Sequence, residues 1–231
     1  MLLAELEIFH SRSAQPTRRV ALGHLVLPVE PAPGLGGILL GAVVARHALD
    51  LASDDTTGLR RLISDIGAGR RVVQPRMRHR YQVDRHGLAV STHRLLGEGE
   101  EMSFEFAERG GDLAQVLGAI YAIERLDQQH RSSIADVLIQ ALRWKGPIGP
   151  SMVAFLAGAQ SSSLAALADP RAWALERLGF SDSEKSPSSR EVSRRYRQQM
   201  RSVHPDHGGD HEDASAAIRE LAEARRILMK S

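Results

Sequence analysis

The chain has 231 residues, 42% of them hydrophobic and 25% charged, the proportions of a folded, soluble protein able to bury a real core. A formal net charge of +2 gives no global polyelectrolyte argument for nucleic acid or membrane, and the absence of cysteine excludes disulfides, thiolate metal sites and cysteine nucleophiles. Met1–Ile8 carries Glu5 and Glu7 and no basic segment ahead of an apolar one, so no secretory signal is expected. The longest apolar run, Leu35–Ala45, is too short to cross a bilayer. The expectation is a cytoplasmic protein with no membrane partner.

The first 28 residues read as two strands, Leu2–Phe9 and Val20–Leu27, around a polar, proline-containing turn at Ser11–Thr17. A Pro/Gly loop, Pro28–Gly37, leads into a helix over Gly37–Ala52 with Leu39, Leu40, Val43, Val44 and Leu49 on a wide apolar face. A short helix is expected at Thr57–Ile66. Arg70–Leu96 is irregular and arginine-rich, with strand signals near Tyr81 and Val90, and Met102–Phe106 alternates as a strand does. Asp112 is the expected N-cap of a helix running to about Leu126. Further helices are expected at Ser132–Trp144, before Gly146-Pro147, and at Ser151–Ala159. Ser161–Ser163 and Asp169-Pro170 mark a boundary, giving an α+β domain over 1–165 with strands early and helices late, and a small all-α domain over 170–231.

The second domain is the informative one. A short helix, Arg171–Leu178, is closed by Gly179, and a polar loop, Ser181–Pro187, leads to a helix from Ser188 or Ser189 to Val203. At about 100° per residue, Val192, Tyr196, Met200 and Val203 share an arc of roughly 80°. Arg190, Arg194, Arg197 and Arg201 share about 60° on nearly the opposite side. The bland reading of that basic stripe is a solvated face. After His204-Pro205-Asp206 and the Gly208-Gly209 loop comes a last helix, Asp213–Met229. Ala214, Ala217, Ile218, Leu221, Ala224 and Leu228 lie on one side of it, with Arg225 intruding. Two amphipathic helices joined by a short loop pack as an antiparallel hairpin, and Leu175 and Leu178 would cover its open side.

This segment, about Ala172–Lys230, resembles the J-domain family. In YRQQMRSVHPDHGGD, Tyr196 precedes His204 by eight residues, Leu178-Gly179 stands where the family's first helix ends, and Ile218, Leu221, Ala224 and Leu228 fit its third helix. The sequence departs from the pattern at Arg225, where an aromatic is usual, and at Gln199, where leucine is usual, and a fourth helix is missing. It also lacks the Gly/Phe-rich linker and cysteine zinc modules of the general-purpose members, which groups it with the specialised ones. The resemblance implies a co-chaperone rather than an enzyme, with no cofactor. His204, Pro205, Asp206 and the face of Arg190, Arg194, Arg197 and Arg201 would dock on a DnaK-type chaperone near its interdomain linker and stimulate its ATPase. The first domain would recruit an unidentified client or adaptor. Pro205 would stiffen the loop, Asp206 would accept charge-assisted hydrogen bonds, and the arginines would steer a salt-sensitive encounter.

Three other readings compete. His204, Asp206, His207, Asp210 and His211 are metal-ligand types, but their spacing does not set three on one helical face. Gly34, Gly36 and Gly37 lie between a strand and a helix, as in a phosphate loop, yet Leu39 stands where a dinucleotide pattern needs glycine and no Lys-Ser/Thr pair follows. The third reading is a nucleic-acid- or ribosome-binding adaptor. Arg60, Arg61, Arg70, Arg71, Arg76, Arg78, Arg80 and Arg85 crowd residues 60–86 against Asp65 and Asp84, with His79 and Tyr81 interleaved, in a chain that uses almost no lysine. His10, His24, His47, His93 and His130 look scattered, each structural or at the surface.

Overall fold

A computed structural model describes residues 1–12, 15, 18–99, 101–158, 169–181, 186–203 and 211–230, with backbone only at 211–216 and 230. The chain divides into two units, Met1–Ala157 and Gly158–Ser231. The serine-rich boundary at Ser161–Ser163 lies outside the described residues, as does most of the turn expected at Ser11–Thr17.

Among the described residues, unit 1 is an α+β fold built on one sheet of order β3-β2-β1-β4-β5. The strands are β1 (Leu2–His10), β2 (Arg18–Val26), β3 (His79–Tyr81), β4 (Ala89–Glu98) and β5 (Glu101–Glu105). β2 and β3 run parallel and the other pairs antiparallel. Its helices are α1 (Gly34–His47), α2 (Ser53–Gly67), α3 (Asp112–Ala122), α4 (Gln128–Ala141) and α5 (Pro150–Ala157), with a 3-10 turn at Ile123–Arg125.

Alternation decides which face of the sheet is dry. Ala4, Leu6 and Ile8 of β1 and Leu95 of β4 are fully buried on the helix side. On the other face, the buried Glu5 carboxylate accepts from Arg94 Nε at 2.7 Å and from His24 Nδ1 at 3.0 Å. Arg94, then His24, hold Glu5 below the usual carboxylate range. α1 is buried along its whole length except Arg46, and its glycines are why it fits. A Cβ on Gly36 would stand 2.6 Å from Leu27 Cα, on Gly37 2.7 Å from Ile134 Cδ1, and on Gly41 2.6 Å from Leu156 Cδ1. α3 presses on β1 the same way: a Cβ on Gly118 would stand 2.6 Å from Ile8 Cδ1.

Several boundaries differ from the sequence expectation. α1 starts at Gly34, so the expected Pro/Gly loop ends three residues early, and the candidate phosphate-loop glycines are helical positions occupied by the chain's own atoms. α2 starts at Ser53, where Asp54 and Asp55 complement the helix dipole. α4 starts at Gln128, before Ser132. Asp112 is the first residue of α3 rather than its N-cap, which is Gly111.

Unit 2 contributes α6 (Pro170–Arg177), α7 (Ser189–Ser202) and α8 (His211–Lys230). Their core is Trp173, Ala174, Leu178, Val192, Leu221, Ala224 and Leu228, with Tyr196, Met200, Val203 and Phe180 packed against it. Among the described residues no helix of the chain is long and apolar enough to cross a membrane.

Candidate functional site

Each helix of unit 2 that leads toward residues 204–206 has defined ends. Asp169 caps α6, its Oδ1 accepting from Ala172 N–H at 3.0 Å, with Pro170 next in the first turn. At the other end Gly179 takes φ +73°. Its N–H donates to Glu176 O at 2.8 Å and Phe180 N–H to Leu175 O at 2.9 Å, the paired bonds of a Schellman cap. Ser188 and Glu191 close the start of α7 as a capping box. Ser188 N–H donates to Glu191 Oε2 at 2.8 Å and Glu191 N–H to Ser188 Oγ at 3.4 Å. The Ser188 hydroxyl, donating to Glu191 Oε2 at 2.7 Å, and then the Ser188 N–H hold the Glu191 carboxyl below its usual range.

The capped α7 presents two faces. Val192, Tyr196, Met200 and Val203 face the core. Arg190, Arg194, Arg197 and Arg201 are all exposed, and none of the four makes an ion pair among the described residues. Arg197 Nε donates to Ser193 O at 3.2 Å, which aligns its side chain along the helix. The Arg225 guanidinium lies 5.0 Å from the Tyr196 ring centroid and covers that ring. α6 is tied to α8 by Arg177 Nη2 and Glu220 Oε2 at 2.6 Å. On α8 the buried Glu223 carboxylate takes two bonds from Arg226, at 2.7 and 2.5 Å.

His204, Pro205 and Asp206 lie outside the described residues, as do His207, Asp210, Gly208 and Gly209. No metal-ligand group occurs among the described residues.

In unit 1 the structure corrects the picture of scattered histidines. His10, His47 and His93 come together under the N-terminus of α3, all buried, with Ser91 and Gln115. The hydrogen bonds fix the protons. Gln115 Nε2 donates to Ser91 Oγ at 3.0 Å and to the Arg109 carbonyl at 3.1 Å, so Gln115 Oε1 accepts from His93 Nε2 at 2.9 Å. His93 Nδ1 then accepts from Ala107 N–H at 3.4 Å. Burial pushes His93 down to about 4, and it is neutral at physiological pH. Ser91 Oγ lies 2.7 Å from Arg109 O and 2.9 Å from His10 Nε2, and His10 Nδ1 faces Ser11 O at 3.3 Å, so a neutral His10 that donates Nδ1–H there accepts the serine proton at Nε2. Ser91 thus bridges His10, Gln115 and the Arg109 carbonyl within a buried polar group in which His47 Nε2 has no hydrogen-bond partner among the described residues. His47 Nδ1 donates to Asp112 Oδ1 at 2.7 Å. His24 and His130 are apart from this group, paired with Glu5 and Glu30.

The arginines of residues 60–86 divide. Arg60 and Arg61 sit on α2, and Arg70 is held by Asp65 at 2.9 Å. Arg76, Arg78, Arg80 and Arg85 surround β3, where two arginines missed in the sequence, Arg18 and Arg19 of β2, join them. No protein-family model, curated protein or solved structure matches the chain.

Proposed function

We propose that unit 2 is a J-domain and that the chain is a co-chaperone, stimulating ATP hydrolysis by a DnaK-type chaperone and recruiting it through unit 1. The observation that carries the reading is the face of α7. Four exposed arginines without carboxylate partners line the side opposite a small apolar core, on a helix that leads into His204-Pro205-Asp206. Leaving such charges unpaired on a rigid, doubly capped helix suits an acidic partner surface. In this arrangement the arginines guide the encounter, and Asp206 accepts hydrogen bonds from the partner while Pro205 fixes the loop. The shared core of Val192 on α7 with Leu221, Ala224 and Leu228 on α8 supports reading this pair as the family's hairpin. The chemistry belongs to the chaperone, and this chain supplies binding energy and no catalytic group.

The test is ATP turnover by the chaperone with the full-length chain and its Asp206→Asn variant. The wild type raises the rate and the variant leaves it at the basal level, with an unchanged circular dichroism spectrum. A folded variant that stimulates normally overturns the reading.

A further inference from the structure

Around the β2–β3 rim of the sheet, unit 1 assembles a second arginine surface from segments some sixty residues apart. The ladder sets Arg18 opposite His79 and Arg19 opposite Arg80, and Arg18 N–H reaches Arg78 O at 3.4 Å. Arg19 Nη2 donates to His86 O at 3.3 Å, which brings the 85–86 loop alongside, and the Arg85 guanidinium lies 5.2 Å from the Phe9 ring centroid. Arg18, Arg78, Arg80 and Arg85 are exposed, and Arg19 partly so. None of these five arginines makes an ion pair among the described residues. Carboxylates around the rim include Asp84, which accepts from the His86 N–H at 3.0 Å, Asp55, whose charge reaches His79, and Glu124, whose charge reaches Tyr81.

The turn that presents Arg78 is costly. Arg76 and His79 exchange backbone bonds of 2.9 and 2.6 Å, and between them Met77 and Arg78 have φ of 49° and 60°. Two consecutive left-handed residues are the signature of a turn that favours asparagine and glycine. Here the chain places arginine at the tip, and the buried His79 braces it by donating Nδ1–H to Met77 O at 2.9 Å. Backbone strain held by a buried brace marks a position kept for what its side chain reaches.

We propose that this rim binds the phosphate backbone of a nucleic acid without reading its sequence. Guanidinium forks match phosphate oxygens two at a time, which favours phosphodiesters over diffuse charge. The rim's aromatic rings are already engaged, Tyr81 stacked on Tyr121 at 4.3 Å and Phe9 under Arg85, so base stacking contributes little. The surface is separate from α7, and its success or failure is independent of the chaperone reading.

The test is fluorescence anisotropy of the full-length chain with labelled, unstructured mixed-sequence RNA and DNA over a salt series. Binding weakens about tenfold or more as salt rises from low to physiological levels, and oligonucleotides of different sequence bind alike. Arg19→Glu with Arg80→Glu weakens binding at least about tenfold, while Arg194→Glu with Arg197→Glu leaves it unchanged. Arg78→Gly supplies the control for folding: it relieves the turn, raises the melting temperature and still weakens binding several-fold. Absence of binding at low salt, full binding by the folded rim variants, or binding to phosphatidylserine vesicles in place of oligonucleotides overturns the proposal.

Discussion

Both units display arginines without carboxylate partners, and they do so by different means. In unit 2 one helix carries all four, Arg190, Arg194, Arg197 and Arg201, and the core on its opposite side is small. In unit 1 the rim draws Arg18 and Arg19 from β2 and Arg78, Arg80 and Arg85 from around β3, on a sheet backed by α1 and α3, with the other helices packed on these two. A helix-borne face depends on one element staying folded, whereas a rim depends on strand register. Losing a core contact should therefore disturb the α7 face far more readily than the rim. The comparison can be broken by substitutions that remove one scaffold and leave the other.

The largest effect is expected at Trp173, the bulkiest side chain in the unit 2 core. Trp173→Ala should cost about 3–5 kcal/mol, a large share of a small unit's stability. Chemical denaturation followed by circular dichroism should show a helical transition at lower denaturant while the sheet transition stays in place. A single unshifted transition would show that the two scaffolds are not independent. Tyr196, only partly buried beneath Arg225, should cost less on truncation to alanine, about 2 kcal/mol.

On the unit 1 side, Gly118→Ala forces a methyl into Ile8 and should cost about 1–3 kcal/mol. Thermal melts would check it, and an unchanged midpoint would mean that α3 can move off β1 freely. A smaller effect, and one confined to unit 1, follows from His93. Its folded value near 4 lies below its ordinary value of 6.5, so between these the unfolded chain binds the extra proton. Its stabilising contribution is complete above about 6.5 and is lost as pH falls toward 4. Denaturant midpoints of unit 1 should fall across that window, and His93→Gln should flatten the slope. An equal slope in the variant would assign the effect to other groups. Ser188→Ala should be the mildest change, about 1 kcal/mol through loss of the capping box of α7, read as a small drop in the unit 2 midpoint alone.

These differences also explain what the sequence revealed. The faces of α7 follow from a period of 3.6 within fourteen residues, which by itself places Val192 and Tyr196 on one side and the four arginines on the other. The Schellman end at Gly179 was legible for the same local reason. β4 showed only a local strand signal near Val90, because its inward positions after Ala89 are Ser91 and His93, polar side chains that bond Gln115 instead of continuing an apolar period. Gly34, Gly36 and Gly37 looked like a loop because close packing against Leu27 and Ile134 is a tertiary fact. Arg18 and Arg19 lay outside the arginine-rich window, and only the β2–β3 register joins them to it.

The co-chaperone assignment meets its most direct test in single-turnover ATP hydrolysis by a DnaK-type chaperone, with the full-length chain and with His204→Gln. The account predicts that the wild type accelerates hydrolysis and that the folded variant does not. Equal acceleration by both proteins, or none by a folded wild type across several DnaK-type chaperones, would contradict it.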